Sequence, residues 1–420
     1  MNAMDLVMSY RNISNWPAAR IFRQSKHLGG EIGILKGVSF SLFGPYCSPG
    51  RIALLFGLLV LSACAGLPVR GSVGMQGIDT RVDSEAARYY LGSYLAGQRT
   101  DAALDERIDR LYQSANGSLP DRYELKRLSD EFSVDFAALY FADQIAHIPV
   151  NRRFRRAFDE AYEYTSEAFP DGRVSLPKEY EVLVVPTYLY KRFFSVGADM
   201  AVPRAALKKA GLTCHFVETQ DDGAVETNAD IVAAAIRAHA RSDRRLIILS
   251  ASKSGPEVAL ALTKLGPAET QHVAAWINVA GVLQGTPLAD KHLFRELEFL
   301  VGEVDVAGEE SLTTQRSRRR FDSFHIPKHV LVINYLGIPV TGTISFWGRR
   351  GFNLLRQDGP NDGVSLLSDI IFPGGVTLAD LKNDHFMRGK PLDITTVALA
   401  ISAIRWLEHP GRELIQGPGS

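Results

Sequence analysis

The chain has 420 residues, 46% of them hydrophobic and 22% charged, and its 47 basic residues balance its 47 acidic ones. This is the composition of a folded protein with room for a large core. Zero net charge, without a basic patch interleaved with aromatics, argues against nucleic acid as a partner.

An apolar run near the N-terminus leads to a cysteine. Arg51 precedes ten mostly apolar residues, 52–61, and then come Ser62-Ala63-Cys64. Ten residues are too few to span a bilayer, which needs about twenty, but they suit a secretory signal. Residues 61–64 resemble a bacterial lipobox, which implies cleavage before Cys64 and lipid on its sulfur. A buried apolar segment with an incidental cysteine is the alternative.

The lipobox resemblance sets an expected location. Residues 1–64 would be a leader and signal. Either this leader is unusually long, or translation starts downstream of Met1. The protein would then sit in the cell envelope, anchored to a membrane by lipid. In lipoproteins of Gram-negative cells, an aspartate directly after the lipidated cysteine commonly favours retention in the inner membrane. This chain has Ala65 there, which implies the outer membrane if the cell is Gram-negative. The exported chain would keep only Cys214, so we expect no internal disulfide.

Glycines and helical periodicity divide the next hundred residues. The Gly-rich segment 65–82 is interpreted as a tether. Residues 83–170 show apolar residues at helical spacing, which predicts a helical N-terminal region packed on the main domain. This region is either a structural cover, which we favour, or part of a substrate entrance.

Strands and helices alternate in the segment assigned to the main domain, residues 171–420. Predicted strands cover 181–185, 214–217, 246–249, 274–280 and 330–335, and predicted helices cover 201–210, 228–240 and 256–265. Such alternation predicts an α/β fold with a mostly parallel sheet flanked by helices. The stretch 287–321 is too long for a simple connection, so we expect a lid-like insert there.

A serine lies at the turn between one of these strands and the next helix. Ser252 follows the apolar run 246–249, and small residues, Ser250 and Ser254, stand two before and two after it. A sharp strand-to-helix turn with small neighbours lifts a serine hydroxyl above the sheet edge. We expect Ser250 and Ser254 to act only through their small size, so that glycine would be tolerated at either.

An acid and a histidine follow the serine, and these three residue types suit nucleophilic catalysis. Asp362 lies in Asn361-Asp362-Gly363-Val364, and His385 follows Asp384. Histidine can take a proton from serine near neutral pH, and an aspartate can orient its ring. Asp358, Asp369 and Asp384 are competing acids, and a plain turn or a structural histidine remains the alternative for each motif.

These motifs together resemble the α/β-hydrolase superfamily of lipases and esterases, over residues 178–408. The resemblance implies a Ser252, Asp362 and His385 triad that cleaves a carboxylic ester, without metal or cofactor. It implies oxyanion donors from the backbone of Lys253 and of the loop after the 181–185 strand, where Tyr188 is the candidate. Gly285-Thr286-Pro287 resembles a turn that shapes the site edge in lipase-like hydrolases, although a bare turn is equally consistent.

Two other functions stay open from the sequence. Ser250 to Lys253 also fits the Ser-x-x-Lys pattern of penicillin-recognising enzymes, although an apolar strand directly before the serine favours the hydrolase turn. The second is an envelope lipoprotein that keeps a hydrolase fold for binding, because fold alone does not guarantee activity. The substrate, an ester small molecule or lipid, is not specified further.

Overall fold

The first elements of the computed structural model are two antiparallel strands. The structure describes residues 66–114, 117–193, 197–240, 243–292 and 305–409. Strand β1 (Leu67–Val73) pairs with β2 (Gln76–Val82). The side chains facing the body are buried, namely Val69, Val73, Ile78 and Val82. The predicted tether over 65–82 is therefore wrong for residues 67–82, which are part of the folded body.

The glycines of this hairpin serve packing and turning instead of flexibility. A Cβ at Gly71 would lie 2.1 Å from the Leu91 carbonyl oxygen, so only glycine allows the next helix to approach this closely. Gly74 sits at the turn with φ +55°, a conformation that glycine adopts readily.

Five helices of the described chain follow the hairpin. Ser84, Asp121 and Ser133 cap three of them by accepting backbone N–H groups, and Glu124 completes a capping box with Asp121. The helices are α1 (Glu85–Gly92), α2 (Ala102–Ser114), α3 (Arg122–Glu131), α4 (Val134–His147) and α5 (Pro149–Ala168). Together with the later elements they belong to one compact unit that starts at Leu67.

A six-stranded sheet forms the centre of this unit. Its strands are β3 (Tyr180–Val185), β4 (Thr213–Phe216), β5 (Arg245–Ala251), β6 (Val273–Val279), β7 (Leu331–Gly337) and β8 (Val376–Asp380). They run in the order β4-β3-β5-β6-β7-β8, and every neighbouring pair is parallel. The first five match the predicted strands to within three residues at either end, and β8 was not predicted. The expected α/β-hydrolase-like fold is thus confirmed.

Helices cover both faces of the sheet, as parallel strands require. Val182 and Val184 of β3 point into one apolar cluster, and Leu183 and Val185 point into another. The first cluster is closed by α5, by α6 (Ala201–Lys209) and by α13 (Leu392–Glu408). The second is closed by α7 (Val225–Ala238) and α8 (Ser254–Glu269).

The other α-helices of the described residues lie in connections near the carboxyl ends of the strands. They are α9 (Pro287–Asp290), α10 (Val306–Glu310), α11 (Thr314–Phe321) and α12 (Arg349–Leu355). The predicted insert, 287–321, includes 293–304, which lie outside the described residues. Its described flanks pack on the body, since Leu288, Ala289 and Leu312 are buried.

Candidate active site

The chain turns sharply at Ser252, between β5 and α8. Ser252 has φ +55°, a left-handed conformation that is strained for a residue with a side chain. Its N–H donates to the Val279 carbonyl, and its own carbonyl accepts the N–H groups of Gly255 and Val282, each at 3.0 Å. These contacts hold the turn, and Ser252 itself stays partly exposed.

The small residues around the turn are also hydrogen-bonding residues. The Ser250 hydroxyl accepts the indole N–H of buried Trp276 at 2.8 Å. The Ser254 hydroxyl receives the Ala251 N–H at 2.9 Å and lies 3.1 Å from the Val185 carbonyl oxygen, to which it can donate. The structure therefore gives both serines a bonding role, beyond the small size expected from the sequence.

Ser252, His385 and Asp362 come together at the carboxyl edge of the sheet. The Ser252 Oγ lies 2.9 Å from His385 Nε2, and His385 Nδ1 lies 2.7 Å from Asp362 Oδ2. The backbone N–H of His385 also donates to the backbone carbonyl of Asp362 at 2.9 Å, which holds the two loops together. These distances are the ones that a serine nucleophile, a histidine base and an orienting aspartate would need.

Backbone donors orient the Asp362 carboxylate. Its Oδ1 accepts the N–H groups of Val364 and Ser365 at 2.9 and 2.8 Å, which leaves Oδ2 for His385. The predicted Gly285-Thr286-Pro287 turn supports the same loop, because the Thr286 hydroxyl donates to the Val364 carbonyl. The turn thus holds the loop that carries the acid.

The charge of Asp362 acts on the titration of His385. Burial lowers the pKa of His385, but the Asp362 charge and hydrogen bond, with a contribution from Asp384, outweigh it and raise the pKa above its ordinary value. The imidazolium that forms when His385 accepts a proton is therefore stabilised by the site.

The competing acids are engaged elsewhere. Asp384 accepts the N–H groups of Ser345 and Phe386 at 2.8 and 2.9 Å. Asp369 pairs with arginines, namely Arg122 and Arg318, and Asp358 pairs with Lys291. Of the four candidates, Asp362 is the acid hydrogen-bonded to His385.

A buried ion pair follows directly after Ser252 in the chain. The Lys253 ammonium binds the Glu257 carboxylate one helical turn later, and Asn228 Nδ2 donates to the same carboxylate at 2.9 Å. Burial raises the pKa of Glu257, and Lys253 and Asn228 oppose that rise. The pair could have been predicted from the sequence, because Lys253 and Glu257 stand four residues apart where a helix is predicted to begin.

This arrangement bears on the Ser-x-x-Lys alternative. That reading makes Ser250 the nucleophile and Lys253 its base. Ser250 is fully buried within β5 and bonded to Trp276, while Lys253 is held by Glu257. Ser250 is thus inaccessible to a substrate, and the Lys253 ammonium is bound to Glu257 instead of to the Ser250 hydroxyl.

The candidate oxyanion donors are backbone groups at the same edge. Lys253 follows Ser252 and caps the start of α8. Tyr188 lies in the loop after β3, next to Thr187, which donates to the Ala198 carbonyl, and Leu189, which donates to the Asp221 carbonyl. Its role as an oxyanion donor stays a prediction.

Cys64, the expected lipid anchor, and the leader 1–64 lie outside the described residues. Across the ranges that the structure does describe, no helix combines the length and apolar character needed to cross a bilayer.

Comparisons with known proteins give only distant similarities. No protein-family profile matches the chain, and no curated protein matches it in sequence. A metagenomic carboxyl esterase is 21% identical with a TM-score of 0.45, over 56% of this chain and 77% of that one. A mature Bacillus licheniformis lipase is 22% identical with a TM-score of 0.43, over 51% of this chain and 89% of that one. Lipase 1 from Pelosinus fermentans is 12% identical with a TM-score of 0.39, over 56% of this chain and all of that one. The fold assignment therefore rests on the sheet order and turn geometry of this chain.

Proposed function

We propose that this protein is a serine hydrolase that cleaves a carboxylic ester through an acyl-enzyme. One observation carries the proposal: a partly exposed serine at positive φ lies 2.9 Å from a histidine that is itself 2.7 Å from a buried aspartate. Serine needs a base within hydrogen-bond reach to become a nucleophile at neutral pH.

The first half of the reaction forms the acyl-enzyme. The Ser252 Oγ attacks the ester carbonyl carbon while His385 Nε2 takes the hydroxyl proton. The Lys253 and Tyr188 N–H groups would stabilise the oxyanion of the tetrahedral intermediate. The bond to the alcohol oxygen then breaks, and His385 returns its proton to the leaving alcohol.

The second half releases the acid. A water molecule gives a proton to His385 Nε2 as its oxygen attacks the acyl carbon. The bond to the Ser252 Oγ then breaks, the proton returns to that oxygen, and the carboxylic acid leaves. The Asp362 carboxylate stays ionised throughout and stabilises the imidazolium in both halves.

A lipidic ester is the substrate class that the surface favours. Phe346 and Trp347 are 80% and 39% exposed, which is unusual for two adjacent large aromatics. They follow Ser345, whose N–H donates to Asp384, the neighbour of His385. Two exposed aromatics in a loop that is bonded to the neighbour of His385 suit a substrate with an acyl chain.

The test is a series of p-nitrophenyl esters of rising chain length, with wild type beside Ser252→Ala and His385→Ala. Each variant should lose several orders of magnitude of turnover while its far-UV circular dichroism stays unchanged. A folded variant that keeps more than a tenth of wild-type turnover contradicts the triad.

A fluorophosphonate probe separates the alternatives. Labelling of wild type but not of Ser252→Ala supports the hydrolase. Labelling by penicillin instead supports the Ser-x-x-Lys enzyme. Absence of both, in a folded protein, supports a binding protein that keeps the fold.

We also propose that the protein is a lipid-anchored component of the cell envelope, on the outer membrane if the cell is Gram-negative. Arg51, the apolar run and the lipobox resemblance at Cys64 support this. Several acyl chains hold a protein firmly, so it should stay with membranes through a high-salt wash. Radioactive palmitate should label wild type and not Cys64→Ala. An unprocessed chain that still contains residues 52–61 contradicts the anchor and leaves the hydrolase proposal intact.

A further inference from the structure

Two histidines and a buried glutamate meet at the end of the sheet opposite the active site. Glu181 lies near the start of β3, and His215 lies on the neighbouring edge strand β4. His239 directly follows α7. Ser252, in contrast, follows the carboxyl end of β5, and all these strands are parallel. The cluster is therefore separate from the proposed catalytic residues.

The Glu181 carboxylate is incompletely satisfied. Its residue is 4% exposed, and its Oε2 lies 3.0 Å from His215 Nε2. Its Oε1 is buried, has no hydrogen-bond partner among the described residues and lies 4.0 Å from His239 Nδ1. A buried carboxylate oxygen without a donor is unfavourable, and a cation between the three side chains would relieve it.

The positions of the three side chains suit a tetrahedral metal ion. One ligand atom from each of them lies within 4.8 Å of the others. Tetrahedral Zn²⁺ binds His nitrogen and Glu oxygen at about 2.0–2.2 Å, which places ligand atoms roughly 3.3 Å apart. The His215–Glu181 pair, at 3.0 Å, is already near this spacing, and His239 Nδ1, which lies 4.0 Å from Glu181 Oε1, would need to move closer.

Access to the cluster is open on the histidine side. The His215 and His239 side chains are 29% and 25% exposed, and their rings lie 3.9 Å apart between centroids. A metal ion can thus enter from solvent while the glutamate stays fixed in the sheet. Two histidines, one carboxylate and an open fourth position form a donor set that zinc accepts.

We propose that Glu181, His215 and His239 bind a divalent transition metal ion such as Zn²⁺, with water as the fourth ligand. The site would join the edge strand β4 to β3 and to the end of α7. Its role is structural, because it lies at the opposite end of the strands from Ser252. The residues are 34 and 24 positions apart, so no short sequence motif signals them.

The test is titration of the metal-free full chain with Zn²⁺ by calorimetry, and with Co²⁺ by visible absorption, which reports tetrahedral coordination. Wild type should bind one equivalent at the cluster. Glu181→Gln and His215→Ala should each weaken binding at least tenfold, and saturating Zn²⁺ should raise the melting temperature of wild type but not of these two variants. If Glu181→Gln fails to fold without metal, His239→Asn, at the half-buried helix end, takes its place.

Two controls locate the metal. His325→Ala removes a histidine outside the cluster, four positions before His329, and should bind as wild type does. His385→Ala should also bind as wild type does. Three results would each overturn the proposal. They are no metal binding by wild type, binding within twofold of wild type in both cluster variants, and binding that is lost only in one of the two controls. The outcome is independent of esterase activity.

Discussion

Replacing Asp362 with asparagine should disable His385 without removing a side chain. Oδ1 of Asp362 accepts two backbone N–H groups, at 2.9 and 2.8 Å. An asparagine must keep its oxygen there, because the reverse orientation would sacrifice both bonds. At about 0.5–1.5 kcal/mol each, these bonds favour the first orientation by about 1–3 kcal/mol, or up to about a hundredfold.

That orientation points the asparagine NH₂ group at His385 Nδ1. Nδ1 must then accept, so the ring carries its proton on Nε2, the atom that faces the Ser252 Oγ. A protonated Nε2 cannot take the serine proton. If the three residues act as a triad, we expect kcat to fall about 10⁴-fold, as for the same change in a serine protease.

Ester hydrolysis measured against pH checks this reasoning. Removing the Asp362 charge should also lower the pKa of His385, so the acid limb of the residual activity should move to lower pH. Asp358→Asn, a competing acid paired with Lys291, is the matched control and should leave activity unchanged. A folded Asp362→Asn protein with more than a tenth of wild-type kcat, or with its acid limb at higher pH, would refute the argument.

Three further predictions concern stability and are measured by urea denaturation. Ser250→Ala should destabilise the protein by about 1–3 kcal/mol because the buried Trp276 indole loses its acceptor, and an unchanged midpoint would contradict this. Gly255→Ala should also destabilise it by about 1–3 kcal/mol, since a Cβ would lie 2.7 Å from the Gly281 Cα; wild-type stability would mean the helix can shift freely. Burial and the neighbouring Asp83 raise the pKa of Asp135 to about 7, so its proton stabilises the folded state at low pH and is lost as pH rises toward 7. The unfolding free energy of wild type should therefore fall relative to that of Asp135→Asn between pH 5 and pH 8, and a relative rise would show the opposite linkage.

The sequence predicts the centre of the fold because the relevant signals are local. A buried parallel strand reads as an unbroken apolar run, and the turn at Ser252 is marked by small residues within two positions. The order of serine, acid and histidine then identifies three residues that the structure brings into contact.

Features that depend on distant partners could not be predicted. In the sequence Gly71 is typical of a linker, because its close approach to Leu91 exists only in the folded chain, so the sequence alone predicts a tether there. The bonding role of Ser250 depends on Trp276, which is one strand away in the sheet. Strand β8 is only five residues long and carries Thr377 and Asp380, so its pattern is weak.

The hairpin at the start of the described chain has a consequence for how the protein folds. The Gln76 side chain bonds the backbone of Ala379 and Leu381, more than 300 residues later, at 2.8 and 3.3 Å. The apolar cluster of β1, β2 and helices α1 to α4 is likewise completed by residues near β7 and β8. During synthesis the residues of β1, β2 and α1 to α4 are made long before the residues near β7 and β8 that pack on them. This apolar surface therefore stays exposed until β8 has been synthesised. Such long-range closure is slow and prone to aggregation. We therefore expect chains shortened before β8 to accumulate as aggregates rather than as a folded N-terminal half.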